Sequence, residues 1–212
     1  MKPLKLGIIG TGSVVREIYQ YLYFNSDYSE YISVESICDI NEENVNSFGE
    51  AHGVPQAKRY TDYVSMCSET QLDAVAVNTP DGYHAAPILH AFDLGLDVFV
   101  PKPLADTLGD AYAVMRKLES SGRFMGVDFH KREDPRIKEA KARYQNGDYG
   151  TIQSSVWYMI DRLMVADPNH EPRFFATDDF AVKNTPVSFL TVHMADAFMF
   201  ITGLRPLEIR AT

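Results

Sequence analysis

Leu6-Gly7-Ile8-Ile9-Gly10-Thr11-Gly12-Ser13-Val14-Val15-Arg16 is the stretch on which the fold reading turns. An apolar run breaks on two glycines one residue apart, and a helical pattern begins directly after them. That order reads as a first β-strand, a tight turn and a helix N-terminus, the opening of a dinucleotide-binding unit. Gly10 can take turn dihedrals that a side chain forbids, and Gly12 lets the backbone approach a pyrophosphate. The N–H groups at the start of the helix and the helix dipole both favour its negative charge. The third small position, three residues after Gly12, holds Val15 instead of glycine or alanine, a departure from the pattern.

The acidic partner of such a turn is present. Tyr31-Ile32-Ser33-Val34-Glu35-Ser36-Ile37-Cys38-Asp39 reads as a second strand ending in a carboxylate. Asp39 can accept hydrogen bonds from an adenosine ribose, and its charge repels a 2′-phosphate. This points to NAD rather than NADP.

Working outward, strand and helix alternate. Strands are expected over residues 4–9, 33–38, 73–78, 97–100 and 124–129, and helices over 14–24, 42–52, 63–68, 85–93 and 108–121. The continuous apolar run Asp73-Ala74-Val75-Ala76-Val77-Asn78 fits a strand buried on both faces. The order implies a parallel sheet with right-handed crossovers. Near residue 130 the pattern changes. A charged amphipathic helix is expected over 135–146, an alternating strand of a different sheet over 151–160, a long polar loop over 162–185, an apolar helix over 187–201 and the start of one more strand over 207–211. The fold class is therefore α/β: a Rossmann-type doubly wound parallel sheet over 1–130, then an incomplete α+β second domain over 131–212.

Composition bounds the function. The chain has 212 residues, 45% of them hydrophobic, enough for a real core. A net charge of −9 argues against a nucleic-acid backbone as partner. No apolar run reaches the length of a membrane span. Met1-Lys2-Pro3-Leu4 leads straight into a strand, which reads as a chain without a signal peptide. Cys38 and Cys67 lie in apolar segments without metal-ligand spacing, so they read as reduced thiols of a cytoplasmic protein. No histidine pair has helical metal spacing, and no metal is expected.

Several ordered features together resemble the Gfo/Idh/MocA family of NAD(P)-dependent oxidoreductases. The glycine turn and Asp39 come first. Next is Asn78-Thr79-Pro80-Asp81-Gly82-Tyr83-His84, similar to the family's strand–Thr-Pro–three-residue–His signature. Val100-Pro101-Lys102-Pro103-Leu104 is similar to its Glu-Lys-Pro segment, with Pro101 where the glutamate usually stands. Lys131-Arg132-Glu133-Asp134-Pro135, Asn146-Gly147-Asp148-Tyr149-Gly150 and His193-Met194-Ala195-Asp196 complete the match. The resemblance implies a pyrophosphate held by Gly10, Thr11, Gly12, Ser13 and Val14, and a ribose on Asp39. Asn78, Thr79, Pro80 and His84 would line the middle of the cleft, and Lys102 would sit beside nicotinamide and substrate. It implies an NAD-dependent dehydrogenase acting on a sugar, polyol or related hydroxy compound. A homo-oligomer forming through the second domain is expected where that domain is complete.

Two residues are candidates for the chemistry. Lys102 can polarise a carbonyl oxygen with its ammonium; alone, its tripeptide also fits a surface lysine stiffened by prolines. His193 can relay a hydroxyl proton near neutral pH, with Asp196 on the same helical face to orient it; it also fits a hydrogen-bonded core histidine. In many family members an aspartate stands one turn before this histidine, where this chain has Phe189. His84 fits a structural or cofactor-lining role better than a catalytic one. Lys131 and Arg132 fit an anionic substrate or a solvated turn equally. Asp161, Asp167, His170, Asp178 and Asp179 are polar candidates in the long loop. The absent carboxylates at Pro101 and Phe189 keep a second class open: a non-catalytic nucleotide-binding sensor or regulatory protein on the same fold.

Overall fold

The computed structural model describes residues 2–160 and 187–210. Its centre is a six-stranded parallel sheet with strand order β3-β2-β1-β4-β5-β6. The strands are β1 (Leu4–Ile9), β2 (Ile32–Cys38), β3 (Arg59–Tyr60), β4 (Ala74–Val77), β5 (Asp97–Pro101) and β6 (Met125–Asp128). The chain reverses its direction of travel between β1 and β4, which are neighbours in register Ile9 to Val77. A crevice therefore opens at their carboxyl ends, the topological switch point where ligands of open α/β sheets bind.

Each face of the sheet has its own core. Val75 and Val77 of β4 face one side with Ile9, Ile88, Phe92, Val98 and Val100. Ala74 and Ala76 face the other with Ile8, Ile37, Phe48, Val15 and Tyr19. Alternating side chains on a strand covered on both faces require this apolar run. Burying each valine or isoleucine contributes about 1.5–3 kcal/mol.

The helices start and stop on local signals. Asn41 caps α2 (Glu42–Ala51), Asp62 caps α3 (Tyr63–Glu69) and Thr107 caps α5 (Leu108–Ser121), each accepting from backbone N–H groups of the first turn. α4 (Ala85–Asp93) lies between β4 and β5 in sequence. Gly122 ends α5 in the left-handed conformation. The helix after the glycine turn opens into a wider π-type turn over Val15–Tyr19 before closing as α1 (Gln20–Tyr23). Val15 is fully buried there. The bulkier side chain that departs from the glycine pattern thus lies at the start of the widened turn.

Three expectations meet a different structure. β3 is two residues long, too short for a sequence pattern, yet it pairs with Ile37 and Cys38. The strands expected over 151–160 and from 207 are absent: residues 152–160 and 207–210 are irregular. A strand needs a partner for its N–H and C=O groups, and among the described residues no second sheet offers one. Val156, Tyr158 and Ile160 are accordingly exposed. The long loop expected over 162–185 lies outside the described residues, as do its candidates Asp161, Asp167, His170, Asp178 and Asp179.

Beyond the sheet, α6 (Pro135–Gln145) packs on α7 (Val192–Thr202), which follows a π-type turn over Val187–Thr191. Lys141 lies 3.6 Å from the Phe200 ring centre across that contact. Arg132 clasps the buried carboxylate of Asp196 with Nε and Nη2, tying the turn after β6 to α7. Among the described residues no helix is long and apolar enough to cross a membrane.

Gly10 has φ +92°, and a Cβ there would lie 2.6 Å from the Asn78 carbonyl oxygen. Gly10→Ala is expected to destabilise the protein by about 3 kcal/mol, read as a lowered urea midpoint.

Candidate active site

The glycine turn is bolted to both neighbouring strands. The Gly10 N–H donates to the Cys38 carbonyl at 2.8 Å, and the Asn78 N–H donates to the Ile9 carbonyl at 2.7 Å. Thr11 is fully buried. Its N–H and hydroxyl both donate to Asp39 Oδ2, at 2.8 and 3.0 Å. The Asn41 N–H donates to the other carboxylate oxygen at 3.0 Å. Asp39 therefore holds the turn and its own loop as well as standing at the tip of β2. Sequence spacing had suggested the second position but not the first role.

Gly12 differs from Gly10. A Cβ at Gly12 would meet nothing within 4 Å. The protein's own packing does not require glycine there, whereas the approach of a ligand to the backbone does. The helix opens on this residue, with the Arg16 N–H donating to the Gly12 carbonyl at 3.1 Å. Just after β4, Asn78 Oδ1 and Thr79 Oγ1 are buried without a hydrogen-bond partner among the described residues. An open glycine turn after β1 and unpaired polar atoms after the neighbouring β4 fit a nicotinamide dinucleotide lying across the strand ends. Ser13 and Val14, in the first turn, are half-buried.

His84 is fully buried behind that wall. Its ring nitrogens lie 2.8 Å from the Thr79 carbonyl and 3.0 Å from the Pro103 carbonyl. Burial pushes its pKa down against the pull of those carbonyls. The ring thus clamps the Thr79-Pro80 turn to the segment carrying Lys102.

Lys102 directly follows β5 and is buried. Its Nζ donates to the Phe189 carbonyl at 2.8 Å and lies 3.4 Å from the Phe189 ring centre. The aromatic side chain at the position where an aspartate was expected therefore covers the lysine with a ring face. His193, on α7, is also buried. Burial, then the charges of Lys102, His130 and Lys131, push its pKa down to about 3, against the opposing pull of Asp128. It is a neutral imidazole whose Nδ1 has no hydrogen-bond partner among the described residues. Asp196 does not orient His193: its carboxylate is taken by Arg132. The same pairing gives Arg132 a structural partner inside the protein.

Three residues of this region went unnoticed in the sequence. Asp81 is buried beside Lys102, and Asp128 and His130 lie at the end of β6, close to His193. Alternating polar residues at the carboxyl end of a parallel strand were the available signal. Among the described residues no group of three or more His, Cys, Asp or Glu side chains is placed to hold a metal ion.

The chain is similar to known proteins in sequence and in fold. Residues 4–129 match the model of the GFO_IDH_MocA oxidoreductase family, described by its NAD-binding Rossmann fold. The chain belongs to that family. It is 31% identical over 148 residues to inositol 2-dehydrogenase/D-chiro-inositol 3-dehydrogenase of Lacticaseibacillus casei, covering 69% of this chain and 42% of that protein. It is 25% identical over 201 residues to D-glucoside 3-dehydrogenase of Escherichia coli, covering 95% of this chain and 54% of that protein. Its fold matches the crystal structure of myo-inositol 2-dehydrogenase from Lactobacillus plantarum with TM-score 0.79 at 22% identity, over 95% of this chain and 57% of the other. A scyllo-inositol dehydrogenase from Lactobacillus casei, solved with NAD(H) and scyllo-inositol bound, matches with TM-score 0.76 at 17% identity, over 95% and 57%. The chain spans about half the length of these relatives.

Asp81 sets a pH signature. Burial raises its carboxyl to about 6, against the pull of Lys102, and Oδ2 has no partner among the described residues. A carboxyl raised on folding stabilises the protein fully below about pH 4, and that contribution is lost as pH rises through its folded value. Asp81→Asn is therefore expected to be more stable than wild type at pH 7.5, by on the order of 3 kcal/mol. The gap should close by pH 4 in urea melts.

Proposed function

We propose that this chain is the nucleotide-binding portion, with part of the substrate portion, of an NAD-dependent dehydrogenase acting on a sugar, an inositol or a related polyol. The observation that carries the reading is the convergence of buried Lys102 and His193 at the strand ends beside the open Gly12 cradle. Residues 1–130 hold the cofactor in this reading. Residues 131–212 contribute to the substrate wall and to a homo-oligomer contact.

The residues present fit the cofactor's parts. Gly10, Thr11, Gly12, Ser13 and Val14 take the pyrophosphate, and Asp39 the adenosine ribose. Asn78, Thr79 and Pro80 line the centre, with His84 bracing them from behind. The carboxylate of Asp39 favours NAD over NADP by charge. When bound, NAD accepts or supplies the hydride.

The chain's own side chains orient the substrate and manage its proton. The Lys102 ammonium polarises the substrate oxygen in the direction of reduction and stabilises developing negative charge there in oxidation. Its two anchors on Phe189 restrict where the ammonium points. His193 presents a neutral ring at the same strand ends, suited to a hydrogen bond with a substrate hydroxyl. Burial keeps bulk water away from both groups and strengthens their electrostatic effect.

A second reading has its own support. Phe189 covers Lys102 with an aromatic face where relatives of the resembled pattern carry a carboxylate, and Pro101 removes another. Cofactor binding without turnover, as in a sensor, is the function that follows if those losses are decisive.

Two measurements separate the readings. NADH fluorescence titration is expected to give tighter binding than NADPH. Gly12→Ala should weaken NADH binding about tenfold or more, roughly 1.4 kcal/mol, with an unchanged urea midpoint. Equal binding by wild type and Gly12→Ala would refute the cradle. Reduction of NAD by inositols and aldoses, lost on Lys102→Met with NADH binding retained, supports the dehydrogenase. Binding without turnover of any polyol in the screen supports the sensor.

A further inference from the structure

Among the described residues, neither α7 nor the turn before it supplies an acidic partner to His193. Position 189 is a phenylalanine that lies on Lys102, and Asp196 is bound to Arg132. The carboxylate near His193 comes instead from the sheet. Asp128 ends β6, and the Tyr19 hydroxyl donates to its Oδ2 at 2.6 Å. His130 Nδ1 lies 3.7 Å from that same oxygen. The His130 ring meets the His193 ring edge to face, with centroids 4.8 Å apart and planes at 62°. His193 is 5% exposed, whereas the His130 side chain is 51% exposed.

We propose that Asp128 and His130 are positioning residues for His193, holding its ring in place of a carboxylate at position 189. The pairing stands on the geometry above; its consequence for catalysis rests on the dehydrogenase reading of the site.

The argument runs from the inside of the sheet outward. Tyr19 is itself fixed, stacked on Tyr23 at 5.8 Å and edge-on to Phe99 at 5.7 Å. It therefore holds one Asp128 oxygen in a set direction. Burial alone would raise the Asp128 carboxyl, but the His130 and Tyr19 contacts overcome this and hold it below its ordinary value. Asp128 is thus an anion at neutral pH, and it faces His130. His130 in turn closes one side of the His193 ring, leaving Nδ1 without a partner among the described residues.

The charges that face His193 come from three elements. Lys102 faces it from β5, His130 and Lys131 from the turn after β6, and Asp128 from the end of β6. The cations disfavour a proton on the imidazole and Asp128 favours one. Positive charge at His130 and negative charge at Asp128 therefore act on His193 in opposite senses.

The test is an imidazole NMR titration of the full chain labelled at histidine, read at His193. His130→Gln is expected to move the His193 titration up by about one pH unit, and Asp128→Asn to move it down. Asp128→Glu should return it toward wild type. Tyr19→Phe keeps the ring packing and removes only the hydroxyl. It should give a smaller downward shift, and it reads the same coupling if Asp128→Asn does not fold. A His193 signal unmoved by His130→Gln and by the Asp128 or Tyr19 variant overturns the proposal. A parallel arm follows NAD reduction with myo-inositol. His130→Gln should shift the pH profile of kcat with KM for myo-inositol within about twofold. If wild type gives no turnover with any polyol while the signed shifts are present, the dehydrogenase reading fails and the pairing stands.

Discussion

The contact between the Gly10 backbone and the Asn78 carbonyl is the constraint around which the site is built. At φ +92° and with no room for a Cβ, Gly10 lets the chain turn out of β1 while pressed against the end of β4. Hydrogen bonds to Cys38 and from Asn78 then lock the ends of three strands into one rim. Everything functional hangs from that rim. Asp39 reaches Thr11 because β2 ends beside the turn. The Asn78-Thr79-Pro80 wall faces the turn because β4 ends on its other side.

The second layer is electrostatic. Burying an ammonium at Lys102 is costly unless it is compensated. Part of that compensation comes from a backbone carbonyl and the negative face of a ring, both from Phe189, with Asp81 near by. Burial first, and then the nearby positive charges, keep the His193 imidazole neutral, with Asp128 as counterweight.

Local patterns made the nucleotide half legible. The run Ala74-Val75-Ala76-Val77 had to be a strand covered on both faces, because only that environment hides every side chain of an apolar run. The helices read from 42, 63 and 108 begin there in the structure, where Asn41, Asp62 and Thr107 cap them. β3 was not legible, since two residues carry no period and their strand character comes from pairing with β2. The strands read over 151–160 and from 207 failed for the opposite reason. Alternation signals a strand only when a neighbouring edge exists to pair with it.

For the site, the amino-acid sequence determined which groups are present: the Gly10–Gly12 turn, Asp39, Lys102, His193, and the absence of carboxylates at 101 and 189. These are properties of residue type and short-range spacing. The tertiary structure alone decided which groups meet. It gave Asp196 to Arg132, Phe189 to Lys102, and Asp128 with His130 to His193. Those partners lie 64, 87 and about 65 positions apart in the chain. No local period spans such separations. They are brought together by the parallel order of the sheet and by the packing of α7 against the turn after β6.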